Sequence, residues 1–160
     1  MEIIEIQPAT QNDQASIIAV IQSVFDEYSF ILDLENEMAD LVDLERNYDF
    51  VKGAFFVCTI DGQVVGTIGV KIEPENKEQS EIYRLYLLSE FRGKSIGYKL
   101  LDKACEWAEW TGIKRVELWS DTGFTAAHRL YTRYGFTRGP ERQLTDINNS
   151  REYNFWLEVD

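Results

Sequence analysis

Hydrophobic positions along the chain follow two periods, and each predicts its own kind of element. Ile3, Ile4 and Ile6 are interleaved with Glu2, Glu5 and Gln7, which predicts a short strand over residues 2–7. Pro8 stops that strand, and Thr10-Gln-Asn-Asp13 has the capping-box form that opens a helix. Ile17, Ile18, Ile21, Val24 and Phe25 then recur at helical spacing, and Leu34, Met38, Leu41 and Val42 predict a second helix over 34–46 with an acidic outer face. Two β-rich runs, 54–60 and 64–72, flank Asp61-Gly62-Gln63, which reads as a hairpin with a glycine turn. A polar loop is expected over 74–80, followed by a strong strand over 81–88. From about Ser95, the positions Ile96, Leu100, Leu101, Ala104, Trp107 and Ala108 mark a helix closed by Gly112. Val116 and Leu118 mark a strand at 115–119, residues 125–134 a short helix closed by Gly135, and residues 151–158 a final strand.

No repeat, low-complexity tract or linker interrupts this order, so a single α/β domain over 1–160 is expected. A chain of 160 residues, 44% of them hydrophobic, has the material for a core without a disulfide or metal staple. The net charge of −12 argues against a grip on nucleic acid or anionic lipid and favours a cationic partner. Cys58 and Cys105 have no C-x-x-C spacing, so both are expected to be reduced, buried thiols rather than metal ligands, and no metal site is expected. Without a basic leader or a run of about 18 apolar residues, the expected location is the cytoplasm, with no membrane contact.

The stretch that carries chemistry is Leu87-Leu-Ser-Glu-Phe-Arg-Gly-Lys-Ser-Ile-Gly97, a strand entering a basic glycine loop and then a helix. Unpaired N–H groups at the helix start, the helix dipole, Arg92 and Lys94 together make an anion site suited to phosphate or pyrophosphate. Gly93 and Gly97 suit a sharp turn and a close approach. A Walker A loop needs glycine where Leu88 stands, and the spacing of Gly93 and Gly97 does not fit a dinucleotide fingerprint.

Arg-Gly-Lys-Ser-Ile-Gly after a strand, with Ala127-His-Arg-Leu-Tyr-Thr-Arg-Tyr-Gly-Phe136 downstream, is similar to the GNAT acetyltransferase superfamily, and the order of elements matches over nearly the whole chain. The resemblance implies a mixed, mostly antiparallel sheet flanked by helices (α+β) and splayed between the strands at 81–88 and 115–119, with acetyl-coenzyme A in the splay. It places the pantetheine arm along Leu85, Tyr86 and Leu87, and the pyrophosphate on Arg92, Gly93, Lys94, Ser95, Ile96 and Gly97. Tyr131 matches the tyrosine that faces the thioester sulfur, and Glu81 resembles the general base of one branch. The implied activity is N-acetylation of a primary amine by direct attack; the alternative is a non-catalytic acyl-coenzyme A sensor.

Those residue types suit the reaction, since a carboxylate can take the amine proton, a phenol can protonate the leaving thiolate, and a backbone N–H near Leu87 can meet the developing oxyanion. Tyr83, on the same strand face as Glu81, is the rival relay, and His128 is expected to face solvent without a catalytic role. Two positions depart from the family pattern. Ser95 stands where the family has glycine, so its Cβ hinders the pyrophosphate or its hydroxyl bonds to it. Phe124 replaces an asparagine that the family uses on the coenzyme arm, with Thr125 as a partial substitute. Asp26, Glu27, Asp33, Glu35, Glu37, Asp40, Asp43, Glu45 and Asp49 are expected to surround the acceptor pocket, which favours a cationic acceptor: a polyamine, an aminoglycoside-like compound or a lysine-bearing peptide. An exposed edge strand in the tail leaves a homodimer open.

Overall fold

Strand β1 (Ile4–Pro8) leads through a 3-10 turn at Gln11–Asp13 into helix α1 (Gln14–Glu27); the computed structural model describes residues 2–159. The Asp13 carboxylate accepts the Thr10 N–H at 2.9 Å, the reaching-back half of the capping box. Ile17, Val20, Ile21, Val24 and Phe25 of α1 are buried. The helix expected over 34–46 is broken: Ala39–Leu41 is a 3-10 turn and only α2 (Leu44–Asn47) is α-helical. Its apolar stripe divides accordingly, with Met38 and Leu41 buried while Leu34 and Val42 are exposed. Short acidic side chains account for the break. Asp33 takes the Asn36 N–H and side-chain amide, and Asp43 takes the Arg46 N–H, giving the backbone local partners that compete with a continuous helix.

Strands β2 (Gly53–Ile60) and β3 (Gln63–Glu73) pair through Asp61-Gly62, whose φ angles of 49° and 85° suit a two-residue hairpin turn. Strand β4 (Asn76–Leu87) takes up most of the expected polar loop, because its first residues pair with the end of β3. Helix α3 (Ile96–Trp110), strand β5 (Arg115–Asp121) and helix α4 (Thr125–Tyr134) follow where periodicity predicts them. Strand β6 (Thr137–Gln143) is one that periodicity does not predict; it precedes β7 (Arg151–Glu158). Its sequence TRGPERQ has no apolar alternation, and it lies at the sheet edge, where Pro140 is tolerated.

The sheet order is β1-β2-β3-β4-β5-β7-β6, antiparallel except for β4 against β5. Every residue of β2 is buried, and its alternate side chains feed two cores. Phe55 and Val57 join Ile17, Ile21, Leu41 and Leu44 on the α1 face, while Phe56 and Cys58 join the α3 cluster of Leu100, Leu101 and Ala104. Cys58 and Cys105 are both buried free thiols. Among the described residues, no helix is long and apolar enough to cross a membrane.

Candidate active site

The parallel pairing of β4 with β5 runs only from Gln79–Arg115 to Ile82–Leu118, after which the strands part. Just beyond, Arg84 adopts φ +60° and its carbonyl accepts the Thr67 hydroxyl at 2.7 Å, a bulge that interrupts the β3 register and redirects the rest of β4. From Tyr83 to Leu87, β4 stays paired with β3 on one side but on the other borders an opening instead of β5. Two clefts meet there, both lined by Leu85, Tyr86 and Phe124.

The first cleft, about 360 Å³, runs from Leu85–Leu87 to the start of α3. Arg92, Gly93, Ser95, Ile96 and Gly97 line it, so it collects every coenzyme residue expected from the sequence except Lys94. Lys94 turns away to Glu2 at 3.0 Å. Arg92 is held as well: its guanidinium pairs with Glu27 at 2.7 and 2.9 Å and reaches the Leu87 carbonyl. With both cations engaged, what the loop still offers an anion is chiefly backbone, where Gly93 at φ +81° and Ser95 at φ +63° curl the chain before the first turn of α3. Ser95 thus has the left-handed backbone that glycine prefers, and its side chain makes no cap hydrogen bond. Phe124 meets the Tyr28 ring edge-on at 4.7 Å and lies 5.9 Å from Phe30.

The second cleft, about 320 Å³, contains Glu81, Tyr83 and Tyr131, so the proposed base, its rival and the proposed acid share one pocket. Glu81 sits between Lys71 of β3 and Glu117 of β5 in the last paired stretch before the splay. Burial, with Glu73 and Glu117 adding to it, pushes its pKa up from 4.5 to about 7, against the opposing pull of Arg142 and Tyr83. Tyr131 is 5% exposed, and burial raises its phenol above the ordinary value despite Ser120 nearby. Tyr83 is raised by burial and by Glu81 beside it. A carboxyl that titrates near neutrality beside firmly protonated phenols is a working set for proton transfer.

Two expectations need correction. His128 does not face solvent: its ring packs 5.2 Å from Phe155, and Nε2 lies 3.2 Å from the Ser120 hydroxyl. Burial lowers its pKa. The acids of residues 26–49 do not form the pocket wall, because only Glu37 among them lines it. Several are engaged elsewhere: Glu27 by Arg92, Asp40 by Arg84 and Tyr48, Glu45 by the Gln11 N–H, and Asp49 by the Val51 and Lys52 amides. The pocket's other acids are Glu81, Asp121, Asp146 and Glu152, from β4, β5 and the β6–β7 hairpin. Its arginines are already paired, Arg84 with Asp40 at 2.7 Å and Arg142 with Glu152 at 2.8 Å. Asp146 and Glu152 lie beyond or within elements whose pairing the sequence did not reveal, so no local signal marked them.

The family model described as acetyltransferase (GNAT) family matches residues 19–136. Over 130 residues the chain is 32% identical to YjgM, an uncharacterised N-acetyltransferase of Escherichia coli, covering 79% of this chain and 78% of that one. The chain spans 38%, 46% and 62% of the length of three other N-acetyltransferase relatives. Among solved structures, a GNAT-family acetyltransferase from Staphylococcus aureus superposes with a TM-score of 0.85 at 22% identity, over 99% of this chain and 100% of its own. The putative acetyltransferase yncA of Salmonella typhimurium, solved with acetyl-coenzyme A, gives 0.77 at 18% identity, over 98% and 94%.

Proposed function

The chain belongs to the GNAT family of acetyltransferases, and from that premise we propose that it transfers an acetyl group from acetyl-coenzyme A to the primary amine of a cationic acceptor, by direct attack in a ternary complex. The observation that carries this reading is the meeting of the two clefts at Leu85, Tyr86 and Phe124, with Glu81 and Tyr131 on the acceptor side. The residues suit the coenzyme: an apolar arm can run beside Leu85–Leu87, and the pyrophosphate can meet the N–H groups from Gly93 to Gly97.

In the reaction the acceptor enters as an ammonium ion, and Glu81, directly or through water, removes one proton so that the nitrogen lone pair can attack. Charge developing on the acyl oxygen is met by a backbone N–H of β4 in the opening, near Leu87. Tyr131 gives its proton to the departing sulfur as the C–S bond breaks, and the second proton of the attacking nitrogen, lost as the amide forms, returns to the phenol directly or through water; burial keeps that phenol protonated until the thiolate forms. Glu37, Asp121 and Asp146 supply negative potential around the entering amine, while the paired arginines offer little to an anionic competitor.

Calorimetric titration with acetyl-coenzyme A, with ATP and NAD as controls, tests the first half of this reading. Specific binding followed by turnover in an amine screen supports the proposal. Binding without turnover on any amine would favour the sensor, and no binding would withdraw the coenzyme site.

A further inference from the structure

We propose that the acceptor pocket is built for a small amine and closed to polypeptide, with Asn148 setting that limit; this deepens the acetyl-transfer reading and rests on it. Ile31 follows α1 on one wall of the pocket, and Asn148 lies in the β6–β7 connection on the other. The Asn148 side chain bridges them with both of its polar atoms. The Ile31 N–H donates to Oδ1 at 2.8 Å, and Nδ2 donates to the Ile31 carbonyl at 2.9 Å.

Both ends of this clasp are braced. The Leu144 N–H donates to the Ser150 carbonyl at 2.8 Å, and the Asp146 carboxylate accepts the Ser150 N–H at 2.7 Å and hydroxyl at 2.6 Å. On the other wall, the Phe30 ring packs at 5.9 Å against both Phe25 and Phe124. The clasp thus joins two ordered segments and closes one side of the pocket.

A bound polypeptide needs a continuous groove and, when it lies extended, free backbone partners along an edge. Here the Ile31 N–H and carbonyl are both taken, and the Asn148 bridge ties two segments of the pocket lining to each other. What remains is a pocket of about 320 Å³, at the lower end for small-molecule sites. An aliphatic amine can enter it end-on, whereas a lysine side chain has to bring its main chain up against the clasp.

The test compares kcat/KM for putrescine and spermidine with that for an unstructured lysine-containing peptide, in the wild type and in Asn148→Ala. The wild type should prefer the small amines by at least about tenfold, and the variant should narrow that ratio by about tenfold, mainly through a gain on the peptide. Equal or better use of the peptide by the wild type overturns the proposal, as does an unchanged ratio in the variant. A second measurement needs no turnover: hydrogen exchange at the Ile31 amide should quicken about tenfold in Asn148→Ala. Equal exchange rates would remove the clasp. Failure to bind acetyl-coenzyme A strikes the acetyl-transfer reading instead, and leaves the exchange rates to decide whether the clasp exists.

Discussion

Glu81→Gln should make the protein more stable and less active at alkaline pH. Burial holds the Glu81 carboxyl near 7 in the fold against 4.5 when unfolded, so the folded chain binds this proton more tightly. The sign follows from that difference: the contribution to stability is present in full below 4.5 and is lost as pH rises through about 7. At about 1.4 kcal/mol per pH unit, the interval sets a ceiling of about 3 kcal/mol at pH 8. Glu81 is only half-buried, and solvent screening lowers the working figure to about 2 kcal/mol. Glutamine mimics the protonated acid and never pays that penalty. For a domain of this length the gain corresponds to a Tm rise of roughly 4–8 °C at pH 8, and less than about 0.5 kcal/mol should remain at pH 4.5. Paired melts of wild type and variant at the two pH values, followed by tryptophan fluorescence, measure it. An equal difference at both pH values would refute the reasoning, as would a wild type more stable than the variant at pH 8. In turnover, the wild-type kcat/KM should climb through a limb near pH 7, and the variant should lose that limb; an unchanged profile moves the base to Tyr83 or to water.

Tyr131→Phe should lower kcat by about 10²-fold or more while calorimetry finds acetyl-coenzyme A bound as before, and an unaltered kcat would remove Tyr131 as the acid. Ser95→Gly relieves a left-handed non-glycine backbone at the cost of glycine's unfolded-state entropy, so stability should change by less than about 1 kcal/mol. The same change takes a Cβ out of the coenzyme loop and should tighten acetyl-coenzyme A binding several-fold; weaker binding would mean that the Ser95 hydroxyl contacts the coenzyme. The KM for a cationic acceptor should rise several-fold between low and high ionic strength, and a KM indifferent to salt would remove the electrostatic role of the pocket acids.

The sequence was most legible where one strong period carried an element. Helix α3, with Leu100, Leu101 and Ala104 fully buried, and α4, closed by Gly135, lie where their spacing puts them. Legibility failed where polar side chains replaced backbone partners. The stripe from Leu34 to Val42 has helical spacing, yet Asp33 and Asp43 capture nearby N–H groups and the segment breaks into turns. Strand β6 lacked apolar alternation because an edge strand can be held by one neighbour and its cross-strand pairs, such as Arg142 with Glu152. In the site, motif spacing singles out the loop and the tyrosine here proposed to meet the coenzyme, and both line the clefts, whereas counting acids near the first helices misreads the pocket. Formal charge in a sequence does not reveal which carboxylates are already committed, and Glu27, Asp40 and Glu45 all are. His128 was misplaced for a related reason: flanking residues on a short helix do not disclose that Phe155 and Tyr153 cover the ring.

If the loop holds the coenzyme as proposed, the pairing of Arg92 with Glu27 bears on which anions it would accept. A free guanidinium at a helix start would attract any anion in solution, but this one is held by two short bonds to a carboxylate. A guest must outcompete a tethered rival present at high effective concentration, a contest that weak monovalent ions lose and a multiply charged pyrophosphate can win. In the proposed coenzyme site Glu27 would therefore act as a built-in competitor, a threshold that trades some affinity for discrimination among anions.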